Sequence, residues 1–212
     1  MLTWSEWKPG ASPFLAVRRA IRRCGLAVVL FTGAMTAGAA QGAHYGVDLE
    51  GKPLTGLATE GSRVVVLFFA ASDCPISNRY LPEMKRLHQE FADEGAAFWE
   101  VFPNPEDSAE VLRKHDEEYS DPLSIVRDVD QSLVSMAHAT VTPEAAVFVK
   151  NGAALREVYH GRIDDRYLAF GSERPHAQHH DLEDAIRAAL EGKPVQSPGG
   201  PPVGCAIVTL HP

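Results

Sequence analysis

The sequence predicts an α/β fold: a central mixed sheet flanked by helices, parallel at first and ending in a C-terminal antiparallel hairpin plus helix. Three observations predict it. Short apolar runs alternate with stretches of helical periodicity between Val64 and His138, the order that builds parallel strands through crossover helices. Asn151-Gly152 separates two strand-like runs, Ala145–Lys150 and Leu155–His160, and is the turn chemistry of a tight hairpin. A last amphipathic stretch from Asp181 to Glu191 places Leu182, Ala185, Ile186, Ala189 and Leu190 on one face before Gly192 and Pro194 stop it.

Each element has its own local reason. His44–Leu57 alternates apolar positions around Glu50-Gly51-Lys52-Pro53 and suits a short leading hairpin or edge strands. Val64–Phe69 is an unbroken β-branched and aromatic run, too short for a helix and suited to a strand covered on both faces. A helix is expected from Pro75 to Asp93, with Ile76, Tyr80, Leu81, Met84, Leu87 and Phe91 on its packed face, capped by Ser72 or Asp73 and kinked at Pro82. Ala96–Phe102 reads as a second buried strand, Glu106–Tyr119 as a polar helix ended by Asp121-Pro122, and Ser124–Arg127 as a short strand. Asp130 is placed to cap a helix running to about His138.

With 212 residues, 45% hydrophobic and 23% charged, the chain supports one sizeable core. Its N-terminus differs in composition from the rest. Arg18, Arg19, Arg22 and Arg23 precede an apolar, small-residue run from Cys24 to Ala40, and Ala37-Gly38-Ala39 suits signal-peptidase cleavage. We therefore expect residues 1–39 to be a signal peptide, residues 44–195 the folded domain, and residues 196–212 a Pro/Gly-rich linker and cysteine-containing tail without a core of its own, expected to be mobile. Arg18-Arg19 leaves the general secretory and twin-arginine routes both open, and an uncleaved segment would instead tether the domain to a membrane. Either way a periplasmic or secreted location is expected. Residues 1–39 hold five basic residues and one acid, so without them the net charge moves from −8 to −12. No basic stripe remains to meet phosphates, which argues against nucleic acid as a partner.

Removing that segment also removes Cys24 and leaves Cys74 and Cys205. Two thiols in an oxidising compartment can pair or act as attacking and resolving groups, within one chain or between two. Cys74 follows the strand Val64–Phe69 and begins the helix that Pro75 enters, where the positive end of the helix dipole favours thiolate. Asp73 opposes that effect, and Arg79, about one helical turn along, is placed to offset it.

A cysteine at the first strand-to-helix junction, together with Thr142-Pro143 just before the strand Ala145–Lys150, resembles the thioredoxin-like superfamily, most closely its redoxin and thiol-specific-antioxidant (AhpC/TSA) branch. The likeness covers roughly His44–Val195. Asp73–Asn78, Tyr159–Asp164 and Gly204-Cys205 are also similar to stretches of secreted bacterial redoxin-domain proteins. The resemblance implies a cis peptide bond before Pro143, packed beside Cys74. It also makes Arg162 and Asp164 candidates for shaping the cysteine site. Activity on protein or small-molecule thiols, disulfides or peroxides is implied, with no cofactor.

The departures narrow the chemistry. Ser77 stands where a dithiol motif has its second cysteine, so exchange within one motif is excluded and any resolving thiol must be Cys205. Leu67 and Ala71 occupy the proline and threonine positions of the peroxidase motif, which argues against ordinary peroxidase activity. Two other readings remain open. His176, His179 and His180 form a His-rich loop, and a copper-binding chaperone would need Cys205 to fold back beside Cys74. A non-catalytic interaction module would have kept the fold and lost the chemistry.

Overall fold

A computed structural model describes residues 44–119, 122–196 and 200–210. The expected signal segment, the Asp121 helix stop and part of the linker lie outside them. In chain order the elements are β1 (Val64–Phe69), α1 (Pro75–Phe91), β2 (Ala96–Phe102), α2 (Ala109–Tyr119), β3 (Ser124–Arg127), α3 (Ser132–Ala137), β4 (Val141–Thr142), β5 (Glu144–Asn151), β6 (Ala154–Gly161), β7 (Tyr167–Ala169), β8 (Ser172–Glu173), α4 (Asp181–Leu190) and β9 (Cys205–Ala206).

The central sheet has the order β3-β2-β1-β5-β6. β1 pairs parallel with β2 and β2 with β3, while β5 runs antiparallel to β1 and β6 antiparallel to β5. The expected parallel start and antiparallel finish are both present. β1 lies at the centre, and its alternation of faces divides the core. Val64, Val66 and Phe68 meet α1 residues Leu81, Met84, Leu87 and Phe91 and α4 residues Leu182, Ala185 and Ile186. Val65, Leu67 and Phe69 face the other way, onto Leu57 and onto Leu133 and Ala137 of α3. A run that is apolar at every position is what a strand buried on both faces requires.

Several local expectations are corrected. Ser72 and Asp73 do not cap α1; the N-cap is Cys74, without a side-chain cap, because the Ser72 hydroxyl is drawn to Asp107. α1 ends at Phe91, two residues before the expected Asp93, and contains Pro82 within it. The leading hairpin reduces to two isolated bridges, Val47 to Pro53 and Val47 to Arg127, around a turn in which Asp48 accepts from the backbone of Glu50 and Lys52. α2 begins three residues later than expected, at Ala109. The small hairpin β7–β8, turning at Gly171 with φ +72°, carries no sequence pattern strong enough to foretell it.

The largest correction concerns the tail. It is not free: β9 pairs antiparallel with β4, Thr142 opposite Cys205 and Val141 opposite Ala206. The Ile207 N–H extends the ladder to Thr140 O at 3.1 Å.

α3 is capped from a distance. Asp130 reaches only the Ser132 N–H, whereas the buried Asp128 carboxylate accepts from the Leu133 and Val134 N–H groups and from Ser132 Oγ. Asp128→Ala should therefore lower stability by about 1–2 kcal/mol, the scale of a lost N-terminal cap, measurable by urea denaturation as a lower midpoint at unchanged slope.

Candidate active site

The site is built where β1 ends. Ala71 to Cys74 makes a tight turn, with the Cys74 N–H donating to Ala71 O at 3.0 Å, and α1 starts at once with Pro75 at its first position. Proline has no N–H to leave unpaired there. Asp107 holds the turn by accepting from the Ser72 N–H and hydroxyl, and Asn78 Nδ2 donates to Ser72 O at 3.1 Å. Asn78 Oδ1 in turn lies 3.0 Å from His115 Nε2 on α2. Asp107 and His115 were not legible as site residues, since nothing local in their sequence marks partners that lie 35 and 37 positions away.

Opposite the turn stands the segment between α3 and β5. The Thr142-Pro143 peptide bond is cis, as the resemblance implied, and both residues are buried. Thr142 O lies 3.3 Å from Cys74 Sγ. Cys205, carried by β9, brings its own sulfur to 3.2 Å from Cys74 Sγ. Both cysteines are free, and the separation is a hydrogen-bonding one, well beyond the roughly 2.05 Å of a disulfide bond. Gly204 makes this approach feasible, because a Cβ at that position would fall 2.1 Å from Thr142 O.

The electrostatics divide the two thiols. Burial pushes the Cys74 pKa up, but hydrogen bonds from the Ser77 hydroxyl, the Ser77 and Ile76 N–H groups and the Cys205 thiol outweigh it and leave the pKa lowered. The Ser77 hydroxyl is buried and makes no hydrogen bond of full geometry among the described residues, yet it lies close enough to favour the charged form of Cys74. Cys205 is shifted upward by burial first, then by its hydrogen bond to Cys74 and by the charges of Cys74 and Asp73. Cys74 is therefore the more acidic of the two thiols, and Cys205 the one that donates to it. Ser77 is the residue that replaces a second motif cysteine, and it stabilises the charge.

The remaining predicted site residues sort into three groups. Asp73 is exposed beside the turn. The Arg79 guanidinium lies 3.3 Å from Glu173 on β8 and is not among the groups that shift Cys74, where the sequence suggested it would offset Asp73. Arg162 and Asp164 do converge beside Pro143, with Tyr80 and Val203 of the tail. Arg162 donates to Asp181 at 2.8 Å, and Gly200 passes so close to its guanidinium that a Cβ would sit 2.6 Å from Nη1. Asp164 accepts from the Tyr80 hydroxyl and from the Arg166 N–H. These residues shape the path of the tail rather than touch the sulfurs.

His176, His179 and His180 are exposed, and none joins Cys74 or Cys205 in a ligand cluster among the described residues. His180 instead lies with Glu83 and Glu183, whose carboxylates are both bound by Arg86. Beside the cysteine turn a groove of about 370 Å³ runs between Pro75, Ile76 and Arg79 and the β7–β8 hairpin, which contributes Tyr167 and Phe170. Phe170 is 66% exposed and Leu168 54%, so the hairpin lends the groove an apolar rim.

Known proteins share this fold. The model of the AhpC/TSA family matches residues 38–159, more than half of the chain and including the strand, the cysteine turn and the cis-proline segment. The chain belongs to the AhpC/TSA family. As an AhpC/TSA-family protein it is a thioredoxin-like thiol oxidoreductase in the broad sense, and its tail from Gly200 lies beyond the matched region. Among solved structures it is similar to a hypothetical protein from Sinorhizobium meliloti 1021, with 24% identity, 80% of this chain and 93% of that one covered, and a TM-score of 0.67. An uncharacterized conserved protein from Geobacillus kaustophilus matches at 24% identity, with 81% and 92% covered and a TM-score of 0.65. A thioredoxin-like protein from Aeropyrum pernix matches at 18% identity, with 71% and 89% covered and a TM-score of 0.50. At these identities the likeness is one of fold. No curated protein matches.

The charge assignment fixes a pH dependence. Because native Cys74 is more acidic than the ordinary thiol value of 9.0, its alkylation rate should reach half-maximum below pH 9.0. Cys205→Ala removes a donor and should move that midpoint upward. The linked stability has a definite sign: a depressed native pKa stabilises the fold fully above the unfolded value, and the gain fades as pH falls through the native one. Iodoacetamide kinetics from acid to alkaline pH check this, and a midpoint at or above 9.0 in the unaltered protein contradicts the assignment.

Proposed function

We propose that the protein is a disulfide-exchange oxidoreductase working outside the cytoplasm, with Cys74 as attacking and Cys205 as resolving thiol. The observation that carries this reading is the 3.2 Å approach of two free thiols with opposite pKa shifts. In the first step the Cys74 thiolate attacks one sulfur of a substrate disulfide. A mixed disulfide forms, and the other substrate sulfur leaves as thiolate. In the second step Cys205 loses its proton to solvent or to the departing thiolate and attacks Cys74 Sγ. The Cys74–Cys205 disulfide forms, and the second substrate sulfur leaves. The substrate gains two electrons and the protein loses two.

The order is supported by the pKa causes. The contributions to Cys205 from its hydrogen bond to Cys74 and from the Cys74 charge vanish once Cys74 is a neutral mixed disulfide, so Cys205 becomes easier to deprotonate when it is needed. Peroxide as the principal substrate is disfavoured: Leu67 and Ala71, both buried, supply no side-chain donor near the cysteine. An acidified thiol with a second thiol beside it also weighs against a module that has lost its chemistry.

Two experiments test the reading. With a fluorogenic peptide disulfide, Cys74→Ser should abolish reaction. Cys205→Ser should still release the first thiol and then stall as a mixed disulfide at Cys74, visible by intact mass. Full turnover in Cys205→Ser, or reaction in Cys74→Ser, overturns the assignment. The extracytoplasmic location rests on the arginine-led apolar segment before residue 40 and the acidic remainder. Alkaline phosphatase fused after Ala43 should be active in a bacterial host, and an inactive but stable fusion contradicts export.

A further inference from the structure

The distal end of the tail is fastened by one unusual side chain. Gln131 precedes α3 with φ 55° and ψ 31°, a left-handed conformation that costs a residue with a Cβ, and it is only 8% exposed. Its Nε2 donates to Pro103 O at 3.4 Å and to Val208 O, while its Oε1 accepts from the Leu210 N–H at 3.3 Å. Two of these three bonds go to the tail, at Val208 and Leu210, just past the point where Ala206 pairs with Val141. Asn104 adds a third tail bond, accepting from the Val208 N–H at 3.2 Å.

A buried primary amide is costly unless its donors and acceptor are used. With the tail absent, Gln131 would keep one bond, to Pro103 O, and its Oε1 would lose the Leu210 donor. The tail thus completes the hydrogen bonding of a polar group that is buried, with the tail in place, in a strained backbone conformation. Along the tail, these bonds lie on the far side of Cys205 from the Gly200–Arg162 crossing, so the cysteine is held between two fixed points.

We propose that Gln131, with Asn104 in support, is a positioning residue that clasps the tail and sets the effective concentration of Cys205 at Cys74. This rests on the resolving role given to Cys205 and adds what holds that thiol in place. Neither side chain touches a sulfur. Their effect is on the closing of the Cys74–Cys205 disulfide, an intramolecular step whose equilibrium depends on how tightly the two ends are held. The chemistry is the second exchange step already written, with a glutathione mixed disulfide at Cys74 as the reacting bond and reduced glutathione as the leaving group.

The test is the equilibrium between the reduced protein and its intramolecular disulfide in glutathione buffers, measured on the full chain by mass spectrometry after acid quenching. Gln131→Gly removes the clasp while suiting the left-handed backbone, and Asn104→Ala removes the supporting acceptor without touching that backbone. Each should lower the effective concentration of Cys205, by about tenfold for Gln131→Gly, equivalent to about 1.4 kcal/mol. In a Cys205→Ser background, Gln131→Gly should leave the alkylation pH profile of Cys74 unchanged, which a general disturbance of the site would not. Folded variants that close the disulfide as well as the unaltered protein overturn the clasp while leaving the resolving role intact. If Gln131→Gly does not fold, Asn104→Ala decides. Failure of the unaltered protein to form the disulfide at all would defeat the resolving role itself, and with it the clasp.

Discussion

The contact on which the site depends is the antiparallel pairing of Cys205 with Thr142, part of a short ladder that brings a distant thiol to 3.2 Å from Cys74. Thr142 is fixed because the chain next enters β5, which is paired on both sides, to β1 and to β6. Cys74 is fixed because it ends the turn after β1, the central strand. The same sheet therefore positions Cys74 and the edge that receives the tail. The two sulfurs meet only where Gly204 allows the backbones to approach.

Burial alone would make both thiols poor nucleophiles. The helix start changes this for Cys74 by offering the N–H groups of Ile76 and Ser77 and the Ser77 hydroxyl, and Cys205 adds its own proton as a donor. The cost appears at Cys205, whose pKa rises in response. In the proposed mechanism this asymmetry sets the sequence of events: one thiol is ready at rest, and the second is released when the first has lost its charge. The helix motif has Ser77 in place of a second cysteine, and that serine is among the groups that lower the Cys74 pKa.

The sheet was legible in the sequence because its strands carry local signals. Val64–Phe69 is apolar at every position and is buried on both faces, and Asn151-Gly152 marks its hairpin turn directly. Cys74 was legible from its place between a buried strand and a helix start, and the cis bond before Pro143 through the resemblance. The docking of the tail was not, because its partners, Thr142, Gln131 and Asn104, lie far back in the chain, and a Pro/Gly-rich approach looks the same whether it leads to a docked strand or to free chain. The expected cap at Ser72 failed for a similar reason: Asp107, 35 residues on, competes for the same hydroxyl. Arg79 was placed correctly on its helix, but the unforeseen β7–β8 hairpin supplies Glu173 as its partner.

The most direct measurement of the central claim is peptide mapping under non-reducing conditions after one equivalent of a small disulfide oxidant. The account predicts a single cross-linked species of monomer mass, joining the peptide that contains Cys74 to the peptide that contains Cys205. A covalent dimer, or a Cys74 adduct that persists beside a free Cys205, would contradict it.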